Sequence, residues 1–131
     1  MPFINLGIIP ELASTYLLPR LIGFQKAKEI IYFGEKIDAQ QLFELGLVNR
    51  VLPHEELLPC AKEMALKLIP PGGASLAIKL AKRALHKPLM DAITHALDME
   101  NKGLNITFST SDFMEAMMAR KEKRVPVFRG R

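Results

Sequence analysis

Apolar residues recur at three- and four-residue spacing along most of this chain, and Gly and Pro cut the recurrence into segments, which restricts the fold to packed helices. Ala27, Ile30, Ile31 and Gly34 share one face of a segment that begins near Gly23, and Gly34 suits a left-handed stop. Asp38 is placed to cap a short helix carrying Leu42 and Leu45, closed by Gly46. Residues 47–52 read as a short strand or an extended link into Pro53. Leu57, Ala61, Met64, Ala65 and Leu68 have the spacing of an amphipathic helix, broken by Pro70-Pro71-Gly72-Gly73. A helix over residues 74–86 follows, with Ala77, Leu80, Ala81 and Ala84 inward. Pro88 suits the first turn of a separate long helix to about residue 108, weakened by Gly103. Ser109, Thr110 and Ser111 offer caps for a last helix bearing Met114, Met117 and Met118, and the tail from Val125 is extended around Pro126. The expectation is a mainly α fold of about six or seven helices with at most one strand. Residues 1–9 are apolar, extended in character and without a partner strand, like the last edge of something upstream.

Composition narrows the setting. A chain of 131 residues suits one domain and buries about two thirds of the surface it exposes unfolded. The 49% hydrophobic and 24% charged content is that of a soluble globular protein. No apolar run approaches the roughly 20 residues that cross a bilayer, and no export signal opens the chain, so the expected setting is a reducing, cytoplasmic interior. Cys60 is the only cysteine, which excludes an intrachain disulfide, and its neighbours Leu57, Ala61 and Met64 point to a buried thiol. Asn105-Ile106-Thr107 fits a glycosylation acceptor that has no meaning without export. The net charge of +4 is uneven, with Arg120, Lys121, Lys123, Arg124, Arg129 and Arg131 crowded at the end. A solvated tail, a phosphate-bearing small ligand and nucleic acid all fit that cluster. Nucleic acid fits least, because Phe128 is the tail's only stacking partner.

Few constellations carry chemistry. His54, His86 and His95 are scattered, with no HExxH or Cys/His cluster, so no metal site is expected. Asp91 and His95 lie four apart on one helix face, but no nucleophile accompanies them. Gly72-Gly73 lacks the lysine and hydroxyl of a phosphate loop and reads as a turn. Lys79, Lys82, Arg83 and His86 form a basic stripe, read as a solvated face or a phosphate contact. Met114, Met117 and Met118 read as core or subunit-interface packing, although flexible thioethers also suit a variable acyl chain. Glu11 stands apart, directly after Pro10 and among Ile8, Ile9 and Leu12. In the first turn of a helix a carboxylate is stabilised as the anion by free backbone N–H groups, while apolar surroundings favour the protonated form. Those opposing pulls suit proton transfer near neutral pH. The other reading is that Glu11 only complements the helix start.

Three runs taken together, "PFINLGIIPELASTYLLPRLIG", "AKEIIYFGEKIDAQQLFELGLVNRVLP" and "EKRVPVFRGR", resemble the enoyl-CoA hydratase/isomerase (crotonase) superfamily in order along nearly the whole chain. The resemblance implies the C-terminal helical portion of that fold, lacking the N-terminal ββα spiral core that holds acyl-CoA and supplies an oxyanion hole. It divides the chain into residues 1–22, the last active-site loop and short helix, and residues 23–131, a helical oligomerisation region of a homotrimer or hexamer. The family's second hydration glutamate falls in a Pro-Glu pair, and the matching pair here is Pro2-Phe3. Pro10-Glu11 resembles the Δ3-Δ2-enoyl-CoA isomerase-like subgroup, in which an acidic residue in this loop is the catalytic base. The resemblance further implies that Lys123, and less directly Arg124, meets the CoA phosphates or adenine, and that Phe108 and Leu104 line the acyl or adenine side. The CoA thioester is then a substrate, and no cofactor is implied. The expected function is double-bond migration on an enoyl thioester, with this chain inactive alone. The alternative is a non-catalytic helical assembly module, with RNA binding behind it.

Overall fold

A computed structural model describes residues 2–131, leaving Met1 outside the described residues. Among these residues the secondary structure is entirely helical: a 3-10 turn at Ile4–Leu6, then α1 (Ser14–Ile22), α2 (Phe24–Phe33), α3 (Ala39–Glu44), α4 (His54–Leu66), α5 (Ser75–Thr107) and α6 (Ser111–Glu122). Local sequence sets several boundaries as expected. Gly34 ends α2 in the left-handed conformation, with its N–H bonded to the Ile30 carbonyl. Asp38 and Gln41 form a reciprocal capping box at α3. The Thr110 hydroxyl caps α6 by accepting the Phe113 N–H.

The core lies between α1 and α2. Leu18 packs with Ala27, Ile30 and Ile31, and Ile4, Ile22, Ile37, Leu45 and Leu47 close around them. Truncating a buried Ile of this kind to Ala typically costs about 2–5 kcal/mol. The C-terminal half of α5 lies against α1, and α6 abuts the 3-10 turn. No helix among the described residues is long and apolar enough to cross a membrane.

Four expectations change. Residues 2–9 are not extended: the chain turns at Ile4–Leu6, Gly7 is left-handed, and the Asn5 amide donates to the Gly34 carbonyl at 3.1 Å. Residues 47–52 form no strand, because Leu47 and Val48 both donate back to the Leu42 carbonyl beyond α3. The two helices expected on either side of residue 87 are one 33-residue helix, α5, with Pro88 inside it. Proline's fixed φ is itself helical, and the lost hydrogen bond concerns the Ala84 carbonyl, at an exposed position open to solvent. The apolar faces of α4 and of the first half of α5 do not point into a core. Leu57 is 56% exposed and Leu80 54%. Their period is correct, but nothing among the described residues covers them.

Cys60 is also half-buried rather than enclosed, and Arg50 donates to its sulfur at 3.2 Å. Met114 and Met118 are exposed.

Candidate active site

Glu11 does not occupy a first helical turn. It precedes α1 by three residues, because Leu12 and Ala13 both adopt left-handed backbone (φ 64° and 55°) and delay the helix until Ser14. The carboxylate is half-buried in a loop flanked by buried Pro10 and Ala13. A mainly apolar groove of ≈ 650 Å³ runs beside this loop, with Ile9, Pro10, Thr15, Phe24, Ile31 and Tyr32 among its walls. Glu11 is adjacent to that wall through Pro10 and is not itself part of it.

The loop is held from a distance. Ala13, at the N-cap of α1, has no side-chain oxygen with which to satisfy the free N–H groups of the helix start. That task falls to Glu100 on α5, which is 1% exposed. One of its oxygens accepts the Ala13 N–H at 2.7 Å; the other accepts the Thr15 N–H at 2.9 Å and the Thr15 hydroxyl at 2.6 Å. One turn further on, Gly103 lets α5 approach Ile9. A Cβ there would lie 2.8 Å from Ile9 Cδ1. The Ser14 hydroxyl beside them is buried with no partner among the described residues.

The C-terminal end of the chain, whose Asp112, Phe128 and Gly130 line the same groove, is organised around acids on α6. Asp112 accepts the N–H groups of Arg129 and Gly130, both at 2.7 Å, and Glu115 accepts the Val127 N–H at 2.9 Å. Glu115 also takes a two-pronged ion pair from Arg124, which reaches Glu122 as well. The Arg124 guanidinium, aided by the Val127 N–H, holds the Glu115 carboxyl down at about 2. Arg124 in turn has its proton held more firmly by Glu115 and then Glu122. No cluster of His, Cys, Asp and Glu able to hold a metal ion occurs among the described residues.

With this helical layout in place, a model of the enoyl-CoA hydratase/isomerase family matches residues 1–131. The chain belongs to the enoyl-CoA hydratase/isomerase family. It is 38% identical over 123 residues to a crotonyl-CoA hydratase of Syntrophomonas wolfei, covering 94% of this chain and 46% of that protein. It is 36% identical over 130 residues to an enoyl-CoA isomerase/hydratase of Mycosarcoma maydis, covering 99% and 47%. Among solved structures, an enoyl-CoA hydratase/isomerase from Pseudoalteromonas atlantica superposes with a TM-score of 0.87 at 26% identity, over 98% of this chain and 51% of that one. The chain thus spans about half the length of these relatives, and its fold is the helical C-terminal part of the crotonase fold.

Within that family frame the sequence-selected residues fall into three places. Leu104 is buried on the same half of α5 that grips the Glu11 loop. Phe108, just past α5, is half-exposed and meets the Phe113 ring edge-on at 5.0 Å. Lys123 is exposed at the far end of the 12-residue α6, in left-handed backbone, about 17 Å along the axis from the start of that helix. Arg124 is engaged by Glu115 and Glu122. Sequence reasoning missed Glu100 and Gly103. The available signal was Ala96-Glu100-Leu104, a charged residue inside an apolar stripe of period four.

Proposed function

We propose that this chain is the C-terminal part of an enoyl-CoA isomerase of the hydratase/isomerase family, in which Glu11 moves the proton that relocates a double bond. The supporting observation is Glu11 itself, half-buried on a braced loop next to an apolar groove, and the resemblance adds that Phe3 stands where the family's hydration glutamate would fall. In a 3-enoyl thioester the C–H bond next to the carbonyl is the acidic one. Glu11 takes that proton, the electrons of the C–H bond form a dienolate, and the same carboxyl returns the proton two carbons further along. The double bond ends conjugated with the thioester. One carboxylate therefore serves both transfers, whereas hydration also requires a positioned water. The dienolate oxygen needs preorganised donors, assigned here to the part of the protein outside this chain. The chain alone is then inactive. The groove suits the acyl chain, and exposed Lys123 supplies a cation for the CoA phosphates, with Arg124 acting mainly to fold the tail.

The test is Glu11→Gln in the full-length protein. Loss of about 10²–10⁴-fold in turnover of 3-enoyl-CoA, with CoA affinity retained, is the expected outcome. Unchanged turnover removes Glu11 from the mechanism.

A second reading, assembly without chemistry, has its own support in the uncovered apolar faces of α4 and α5. Under it the full-length protein forms a defined trimer or hexamer and turns over no enoyl-CoA.

A further inference from the structure

Leu12 and Ala13 each hold a backbone conformation that costs an L-residue about 1–2 kcal/mol, and neither is a glycine. Such a pair persists only where its surroundings over-determine it. The Glu100 carboxylate provides that constraint, binding the chain at Ala13 and again at Thr15. On the other side of Glu11, Ile9 rests against α5 at Gly103. The loop is thus gripped by one helix both before and after Glu11. All three groups facing Glu100 are donors, so only a side chain that accepts at both ends fits. A glutamine of the same size turns its NH₂ group toward a donor, and an aspartate is one methylene too short.

We infer that Glu100 is a positioning residue, which clamps the start of α1 so that Glu11 points at the carbon whose proton it moves. This rests on the reading of Glu11 as the acid/base, and the experiment separates the two. In the full-length protein, Glu100→Gln is expected to lower kcat on 3-enoyl-CoA by about 10–100-fold, in line with the rate cost of misplacing a reacting group by about 1 Å, while KM stays within about two-fold. Thr15→Ala, which removes one of the three hydrogen bonds, gives a smaller fall in kcat, and any change in its KM reflects its place in the groove wall. Should Glu100→Gln fail to fold, Thr15→Ala alone decides: a folded variant with unchanged kcat overturns the proposal. Glu11→Gln/Glu100→Gln should be no slower than Glu11→Gln alone, because both changes act through one carboxyl group. An additive loss, or a normal kcat in folded Glu100→Gln beside an inactive Glu11→Gln, overturns the positioning role and leaves Glu11 as the base. Full activity in Glu11→Gln removes the functional reading itself.

Discussion

At Gly7 the absence of a side chain lets the end of the 3-10 turn meet the start of α6: an added Cβ would lie 3.1 Å from the Asp112 carbonyl carbon and 3.2 Å from the Phe113 nitrogen. The residue is also left-handed, at φ 68°. Gly46 shares that backbone sign but has open space around it. Gly46→Ala should therefore cost only the backbone share, about 1–2 kcal/mol, and Gly7→Ala distinctly more, read as the difference in urea midpoint at constant m. Equal losses would show that the contact with α6 has no weight. Legibility differs from residue to residue on the same terms. Glu11 could be singled out as a candidate because a charge beside Pro10 in an apolar run is locally odd. Glu100 could not be assigned its partners, since they lie 85 and 87 positions away, and periodicity carries no information about what a buried group meets. Gly103 looked like a weakness of its helix until the approach of Ile9 gave it a use.

Among the elements, α6 and the tail form a unit made by acids accepting backbone N–H groups, reinforced by Arg124. Because the Glu115 carboxyl sits at about 2 in the folded tail, against an ordinary value of 4.5, its contribution is fully present above pH 4.5 and is lost as the pH falls through about 2. The Val127 amide resonance should accordingly shift across that window, and Glu115→Gln should remove the shift. The pair is solvent-accessible, so added salt should weaken it. The same basic residues that read as a free, solvated tail are in part committed to folding it. Caps were legible where side chain and backbone lie within four residues, as at Asp38 and Thr110. The boundary at Pro88 was not, because a helix can run through a proline when its orphaned carbonyl reaches water.

The molecule as a whole is unevenly packed: α1, α2, the second half of α5 and the 3-10 turn share contacts, while α4 and the first half of α5 carry Leu57, Leu80 and Leu85 to the surface. Exposed large apolar side chains of this kind are what an interaction face is built from. In the proposed oligomeric enzyme, Leu57→Lys with Leu80→Lys should reduce the particle mass measured by sedimentation while leaving the α1–α2 core folded. An unchanged mass would place the subunit contacts elsewhere. The fold class was legible because helical period and Gly/Pro punctuation are local properties, and the missing cover was not, because a stripe reports its own polarity and not its neighbour. The clamp at Ala13 has one more effect, on the order of assembly. Residue 13 leaves the ribosome long before residue 100, so the loop that bears Glu11 must wait, unbraced, for α5 to be made. If Glu11 moves the proton as proposed, its geometry is thereby tied to the synthesis of α5, and a polypeptide cut short before α5 carries the carboxylate without the Glu100 clamp.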